Sequence, residues 1–256
     1  MFGEKKNSEN LFVERWYQLL RENGRLAAIL PESVFDTTEN KYIRLFLFKY
    51  FKIKAVVSLP QLAFEPYTST KTSILFAQKK TKDEIDRWNE VWESASLEWQ
   101  NLKTRVVNLI SVHDGTKQKS KLSSIKNLTL EEETNLIRQM LKSYITTRDD
   151  GLNANELMEK YRSELEALCT FDKDTKDTFG YVNTWWVFSK VSDVLGYEIF
   201  MAEVDNIGYK RYKKNKSVCD KPMPNELFRT TDDGKILIDD NIEKTILDNI
   251  RNINWE

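Results

Sequence analysis

Apolar residues over the first eighty positions recur with the spacing of alternating helices and strands. Residues 8–23 have the period of one helix, with a predicted buried face of Phe12, Trp16, Leu19 and Leu20. Ser8 is its predicted N-cap. Asn23-Gly24 is its predicted end, because glycine adopts the left-handed conformation at little cost. A second helix is predicted over 40–51 from the same spacing.

Three apolar runs in this region predict strands, and these runs are RLAAIL at 25–30, IKAVVSL at 53–59 and TSILFAQ at 72–78. Short, continuous apolar runs are typical of strands buried on both faces of a parallel sheet. The alternation therefore predicts a doubly wound α/β fold. Three strands and two helices cannot cover both faces of a sheet, so we expect one edge to pair with a preceding segment or another chain.

The pattern changes to helical from residue 82, with a return to strand over 197–204. The predicted helices are 83–107, 129–145, 153–168 and 184–194, with a polar, mobile loop over 111–127. Trp88, Trp92 and Trp99 have roughly helical spacing, which indicates packing or a seam to a partner. We therefore predict three segments: an α/β segment at 1–80, a helical insert at 81–195, and a strand, basic stretch and tail at 196–256.

The composition excludes several kinds of site. The chain has 256 residues with 8 glycines, one histidine and two cysteines. No two glycines have the spacing of a phosphate-binding loop, and the cysteines suggest no disulfide framework. One histidine and two cysteines are too few for a four-ligand zinc site of histidine and cysteine. A catalytic triad would need His113, which stands in a polar stretch that predicts solvation. We predict no metal site and no catalytic residue in this chain.

Charge is uneven although the net charge is only −1. Residues 1–80 carry a net +5 and 205–221 a net +4, whereas 81–204 carry −6 and 222–256 carry −4. No apolar run is long enough to span a membrane and no signal region opens the chain, so we expect a cytoplasmic protein without membrane contact.

Several stretches in order resemble one enzyme family. They are LFVERWYQLLRENGRLAAILPESVF at 11–35, the stretch 40–80 containing KAVVSLP and AFEPYTSTKT, IGYKR at 207–211 and KPMPNELF at 221–228. This text resembles the second half of the catalytic domain of DNA adenine-N6 methyltransferases, above all the modification subunits of type I restriction enzymes. The resemblance implies the C-terminal half of a Rossmann-like methyltransferase sheet, incomplete here, with a mostly helical insert at 82–180 that matches nothing.

The resemblance also implies parts that this sequence lacks. The family binds S-adenosylmethionine with a glycine-containing strand-turn-helix and holds the adenine amino group with Asn-Pro-Pro-Phe/Tyr. Neither motif occurs here, and Met1-Phe2-Gly3 stands where the end of the second would lie. We therefore expect the chain to begin just after that motif, to bind no cofactor alone and to be inactive alone, with S-adenosylmethionine used by the intact enzyme.

The candidate site residues lie in two segments. In the segment 62–72, Phe64 or Tyr67 would stack on an extruded adenine, while Thr68 and Lys71 would donate to phosphate or base edges. The alternative is that the two aromatics are ordinary core residues. The second segment, at 209–216, offers four candidate phosphate contacts, namely Lys210, Arg211, Lys213 and Lys214. Its alternative is a solvated loop.

Pro31-Glu32-Ser33 follows the first strand, where it lines a ligand cleft or simply caps a helix. The function implied is part of an S-adenosylmethionine-dependent DNA adenine-N6 methyltransferase of a restriction-modification system. Its expected partners are DNA, the missing N-terminal half, and specificity and restriction subunits. The alternative is a non-catalytic module that docks such subunits through the tryptophan-bearing helices or binds DNA.

Overall fold

The computed structural model describes residues 8–170, 183–214, 217–238 and 244–255. Within these ranges the chain forms two compact units, one of residues 1–86 with 197–256 and one of residues 87–196. The helices are α1 Ser8–Leu19, α2 Ser33–Asp36, α3 Lys41–Tyr50, α4 Lys82–His113, α5 Leu130–Met140, α6 Ala154–Lys160, α7 Arg162–Thr170, α8 Thr184–Leu195 and α9 Ile246–Arg251. The strands are β1 Arg25–Pro31, β2 Phe51–Ser58, β3 Thr72–Lys79, β4 Phe200–Glu203, β5 Ile207–Lys214, β6 Ser217–Asn225, β7 Arg229–Thr230 and β8 Ile236–Leu237.

The main sheet of the first unit, which we call the α/β unit, is mixed. Its strand order is β1-β3-β2-β4, and β3 runs antiparallel to both of its neighbours while β4 runs parallel to β2. The three predicted strands therefore exist, but the expected parallel pairing is wrong for β3. The connection between β2 and β3 folds into turns and contains no crossover helix, and a parallel pair would need a crossover.

Strand β1 lies at one edge of this sheet, and its buried and exposed side chains alternate. Ala28 and Leu30 are buried, whereas Ala27 and Ile29 are exposed. The prediction of a strand buried on both faces is thus wrong here. Among the described residues no strand pairs with the second edge of β1, as the incomplete coverage of the sheet led us to expect.

Helix α1 is apolar on two sides, and its predicted buried face is confirmed for Trp16 and Leu20, which pack against the core. Val13 belongs to the buried core, and Tyr17 and Leu20 pack against it. Phe12 and Leu19, predicted to be buried, are instead 57% and 68% exposed. The core cluster that α1 joins includes buried residues of α2, α3 and β1 to β3, among them Val34, Ile43, Leu47, Leu30, Ile53 and Leu75.

The turn after α1 differs from the prediction in the residue that takes the unusual conformation. Asn23 has a φ of 59°, in the left-handed region, and Gly24 does not. Glycine is required at position 24 for space, because a Cβ there would stand 2.7 Å from the carbonyl oxygen of Arg21. The turn leads into β1 through a hydrogen bond from the Asn23 N–H to the Lys79 carbonyl at the end of β3.

The C-terminal segment lies on the sheet face opposite α1. Arg25 and Gln78 are direct partners across β1 and β3, and both contact Trp255: the Gln78 amide donates to the Trp255 carbonyl at 2.7 Å and the Arg25 guanidinium stands 4.9 Å from the indole ring. Lys54 donates to the carbonyl of Asn254 at 2.6 Å. Part of the second face is therefore covered from within the chain.

The second unit, which we call the helical unit, is built on α4, whose tryptophans are buried rather than displayed. Trp99 is fully buried and packs on Trp186 of α8, with ring centroids 5.2 Å apart. Two predicted helices are shorter or divided: the helix from Thr129 ends at Met140, and the predicted 153–168 helix is interrupted between Lys160 and Arg162. Capping boxes at Thr129 and Asn153 satisfy the first turns of α5 and α6.

The polar stretch 111–127 is more closely packed than its composition indicates. Helix α4 continues to His113, and Ile125 is buried. Arg105 donates to the Ser124 carbonyl at 3.2 Å, which fixes the stretch to α4. His113, predicted to be solvated, is three-quarters covered and stands 3.7 Å from Asp114. None of the helices in the described ranges is long and apolar enough to cross a lipid bilayer.

Candidate nucleic-acid interface

The connection between β2 and β3, residues 59–71, is a folded loop of the α/β unit that projects from one end of the sheet. Its turns close on local backbone bonds, with the N–H groups of Tyr67 and Thr68 both donating to the carbonyl of Phe64 at 2.9 and 3.1 Å. The Gln61 side chain donates to the Ser69 carbonyl at 2.7 Å across the loop. These bonds give the projecting side chains a defined position.

Tyr67 is the most exposed large apolar side chain of the described residues, with 94% of its surface accessible. The alternative that both loop aromatics are core residues is therefore wrong for Tyr67. Phe64 is half-buried at the base of the loop. An aromatic ring held on a folded loop and left without a covering group has a free face on which a planar ligand can stack.

Beside Tyr67 the loop continues into a polar recess of about 350 Å³. Thr68, Thr70 and Thr72 supply one wall. The remaining lining residues come from the start of α1, the end of β1, α2 and the N-cap of α3, and they are Glu9, Asn10, Pro31, Ser33, Val34 and Asn40. The expectation that Pro31 and Ser33 line a cleft agrees with this position, and Glu32 stands at the N-cap of α2 without a side-chain capping bond.

Two residues of this recess have spare hydrogen-bonding capacity. Asn10 is 1% exposed, and its amide donates to the Asn40 side chain at 2.8 Å while its Oδ1 has no partner among the described residues. Thr72 is 8% exposed, and its hydroxyl likewise has no partner there. Buried polar atoms are normally satisfied, so these two are suited to a ligand's polar edge.

Lys71, at the end of the loop, is held in an ion pair. Its ammonium lies 2.8 Å from Glu203 Oε1 at the end of β4. The hydrogen bond with Glu203 raises the pKa of Lys71 and lowers that of Glu203. Sequence reasoning expected a donor free for phosphate, whereas the structure gives Lys71 a carboxylate partner that a phosphate would have to displace.

The basic segment forms the first strand of the β5–β6 hairpin rather than a loop. Arg211 makes a two-pronged ion pair with Asp220 at 2.7 and 3.0 Å, and Lys213 lies 3.3 Å from Glu65 of the loop. Tyr209 donates its hydroxyl to the Ala63 carbonyl at 3.0 Å. Two hairpin residues thus reach the loop that carries Tyr67.

Lys210 and Lys214 are exposed, and neither makes an ion pair with any residue that the structure describes. The four predicted phosphate contacts therefore divide into two that hold carboxylates and two that face solvent. Lys210, Arg211 and Lys71 also line a second recess of about 340 Å³, together with Glu203 and Asp205.

A cofactor or metal site was tested against the same residues. No group of three or more histidine, cysteine or carboxylate side chains with metal-binding geometry occurs in the described part of the chain. The β1–α2 turn, where a strand meets a helix at the recess, contains Glu32 and no glycine. These residues do not fit the glycine-containing turn for S-adenosylmethionine, and we assign no cofactor ligand or catalytic residue to them.

A family model described as N-6 DNA Methylase matches residues 1–159, well over half of the chain. The chain belongs to the N-6 DNA methylase family. The match extends past the α/β segment and into the helical unit. The sequence motifs alone showed no resemblance to a known family in that region. Membership in this family of DNA methyltransferases supports the enzyme class expected from the sequence.

Among curated proteins, the chain is 31% identical over 77 residues to the type I restriction enzyme EcoEI methylase subunit of Escherichia coli. The matched stretch is 30% of this chain and 16% of that subunit. This N-6 DNA methylase chain therefore corresponds to a small part of the relative it resembles.

Sequence reasoning found the loop and the basic strand and missed Asn10 and Asn40. A signal for Asn10 was present, because it shares the helical face of Val13, Tyr17 and Leu20 that the structure buries. A polar residue on a buried face of a helix indicates a bonded or ligand-facing group. The predicted buried face was Phe12, Trp16, Leu19 and Leu20, which does not include Asn10.

Proposed function

We propose that this chain forms the target-base and DNA-binding side of a DNA methyltransferase that transfers a methyl group from S-adenosylmethionine to the N6 amino group of adenine. The observation that carries the proposal is Tyr67, an almost fully exposed ring on a folded loop of a chain of this family. Membership in the N-6 DNA methylase family supports the reaction, and the type I methylase relative supports a restriction-modification setting.

The enzyme must extrude the target adenine from the duplex before its amino group can be reached. The extruded base loses its stacking partners, and the Tyr67 ring replaces one of them. Stacking on an aromatic side chain contributes about 1–3 kcal/mol per base. Thr68, the chain neighbour of Tyr67, lines the recess, which supports a base that stacks on Tyr67 and forms hydrogen bonds there.

The recess supplies the polar part of the proposal. Asn10 and Thr72 have unpaired polar atoms, and Thr68 and Thr70 add hydroxyl groups at the rim. A base edge needs both donors and acceptors, which a hydroxyl group offers in either direction. The aromatic ring would bind any base, so the hydrogen bonds of the recess would favour adenine over the others.

The cofactor-binding half is proposed to be supplied by another segment or chain. The second edge of β1 has no described strand partner, Ile29 of β1 is exposed, and Phe12 and Leu19 of α1 are exposed in the same unit. An unpaired edge with apolar side chains favours association with a further strand and its helix. The bound S-adenosylmethionine would supply the methyl group, and specificity and restriction subunits are the further proposed partners.

The hairpin is proposed to contribute phosphate contacts through Lys210 and Lys214, since Arg211 and Lys213 hold carboxylates. The alternative function, a module that docks subunits through the tryptophans of α4, loses its main support. Trp88, Trp92 and Trp99 are buried within the helical unit and expose little surface to a partner.

The proposal is tested by methyl transfer to duplex DNA in the complete methyltransferase that contains this chain. Tyr67→Ala is expected to reduce the rate of adenine methylation about 5- to 150-fold, the equivalent of the stacking energy. Tyr67→Phe keeps the ring and should retain most of the rate. Tyr144→Ala removes an exposed tyrosine of the helical unit and serves as the matched control.

Equal rates for the wild type and Tyr67→Ala would contradict the stacking role. The chain alone is expected to show no heat of binding with S-adenosylmethionine in calorimetry, because its residues do not fit the cofactor. Cofactor binding or adenine methylation by the chain alone would contradict the division of the enzyme proposed above.

A further inference from the structure

The two faces of the β5–β6 hairpin differ in how their charges are compensated. Alternate residues of a strand point to opposite faces, so Tyr209, Arg211 and Lys213 share one face. Each of these three has a partner, namely Ala63, Asp220 and Glu65. We call this side the inner face, because two of its residues contact the loop.

The outer face of the hairpin consists of Lys210, Tyr212 and Lys214 on β5 and the residues directly opposite them on β6. The register pairs Lys210 with Lys221, Tyr212 with Cys219 and Lys214 with Ser217. Directly opposite residues of an antiparallel pair lie on the same face. The outer face therefore carries three lysines around an exposed tyrosine ring.

No carboxylate compensates these lysines within the described ranges. None of Lys210, Lys214 and Lys221 has an ion pair there, whereas the inner-face Arg211 and Lys213 both do. Like charges directly across a ladder, as at Lys210 and Lys221, destabilise the pairing of strands. A surface that retains this unfavourable pair is suited to an anionic ligand that offsets it.

We infer that the outer face of the hairpin binds the phosphate backbone of nucleic acid through Lys210, Lys214 and Lys221, with the Tyr212 ring packed against a base or sugar. The inference rests on the proposed function for the identity of the polyanion. Lys210 and Lys214 are four strand residues apart, about 13 Å. This distance spans about four nucleotides along one strand of B-DNA.

The inner-face cations have a different role in this account. Arg211 and Lys213 hold Asp220 and Glu65 and so fix the hairpin and its attachment to the loop. Of the four basic residues of the sequence motif, only Lys210 and Lys214 remain as direct contacts. Lys221 and Tyr212 join them on the outer face. Lys221 is 11 positions from Lys210 in the sequence, and only the strand register brings the two together.

The test is fluorescence anisotropy of the full chain with a labelled 20-base-pair duplex between 50 and 200 mM KCl. Each phosphate contact contributes about 0.9 to the slope of log K against log salt. The variant Lys210→Ala/Lys214→Ala/Lys221→Ala is expected to lower that slope by about 2 to 3. Tyr212→Ala should weaken binding with the slope unchanged, and Tyr212→Phe should restore the affinity.

The matched control is Lys121→Ala/Lys126→Ala/Arg148→Ala, which removes the same charge from exposed positions of the helical unit. Its slope should equal that of the wild type. An unchanged slope in the outer-face variant, an equal decrease in the control, or no binding by the wild type at 50 mM KCl would each overturn the inference. Equal competition by polyglutamate and by DNA would show an acidic protein surface as the ligand.

This result is separable from the proposed function. Loss of the salt slope is measured without cofactor and without methylation, whereas the role of Tyr67 is measured by methyl transfer. An unchanged salt slope in the outer-face variant, together with the expected loss of methylation rate in Tyr67→Ala, would overturn the hairpin inference alone. The reverse pattern would overturn the stacking role and leave the hairpin as a nucleic-acid contact.

Discussion

The helical unit and the α/β unit use aromatic side chains in opposite ways. In the helical unit, Trp99 is fully buried and packs on Trp186. In the α/β unit, Tyr67 stands on a folded loop and is 94% exposed. Aromatic content therefore does not distinguish a core from a binding surface; the distinction comes from whether the fold covers the ring.

Charged groups show the same contrast. One cluster of the helical unit is compensated locally, since Lys160 and Tyr161 both bind the buried carboxylate of Asp149. These bonds and the Thr146 N–H strongly lower the pKa of Asp149. The outer face of the hairpin instead leaves three lysines without a carboxylate in the described ranges. The contrast is between a buried carboxylate with partners in one unit and exposed lysines of like charge in the other.

The largest expected effect is on the helical unit. Trp99→Ala should lower its free energy of unfolding by about 3–5 kcal/mol, because the change leaves a large cavity beside α8. Urea unfolding followed by tryptophan fluorescence measures this, since five of the seven tryptophans lie in residues 87–196. Tyr67→Ala should change stability by less than about 0.5 kcal/mol. Equal destabilisation by the two changes would remove the contrast between a covered and a free ring.

The next effect concerns a buried ammonium in the α/β unit. Burial lowers the pKa of Lys80 to about 8, and its Nζ donates to the Phe48 carbonyl at 2.7 Å. The unfolded chain holds this proton more tightly, so the lysine costs stability below pH 8, and the cost disappears as the pH rises past 10.5.

Lys80→Met should therefore stabilise the α/β unit near pH 7 by at most about 3 kcal/mol, less the lost hydrogen bond. The gain over the wild type should shrink between pH 8 and 10.5. Hydrogen exchange of the β2 and β3 amides measures the difference in stability between variant and wild type at pH 7. Urea titrations measure the same difference at higher pH. A gain that does not depend on pH would show that packing, and not the charge, is responsible.

The smallest effect is expected at a helix cap. Thr129 and Glu132 form a capping box at the start of α5, with the Thr129 side chain accepting from the Glu132 N–H. Thr129→Ala should cost the helical unit about 1 kcal/mol. Thr147→Ala, at an exposed position outside the α-helices, provides the control in the same urea titration. A cost equal to that of Trp99→Ala would mean that local capping, rather than the tryptophan core, dominates the unit.

Within residues 1–80, helices α1 and α3 and strands β1 to β3 could be predicted from sequence, because each has its own local period. Helix α2, the β5–β6 hairpin, β7, β8 and α9 were not predicted. The direction of β3 could not be predicted, since neither RLAAIL nor TSILFAQ encodes which neighbour it joins. The predicted face of α1 was right for Trp16 and Leu20 and wrong for Phe12 and Leu19. The helix is apolar on two sides, and only the fold shows that Val13 packs while Phe12 is exposed.

For the candidate site, the family resemblance located both segments, and the structure supplied their geometry. Tyr67 and Phe64 are both aromatic residues of the same loop, yet only Tyr67 is exposed. The ion pair of Lys71 with Glu203 joins residues 132 positions apart, and Lys221 comes to Lys210 through the hairpin register. Such contacts follow from strand pairing and cannot be derived from local patterns.

The central claim is that Tyr67 meets the extruded target base. A duplex in which 5-iodouracil replaces the target adenine is bound to the complete methyltransferase and irradiated, and the cross-linked peptide is identified by mass spectrometry. The account predicts a cross-link within residues 62–71, at Tyr67, which Tyr67→Ala abolishes. A cross-link confined to other segments, with the 62–71 peptide unmodified, would contradict it.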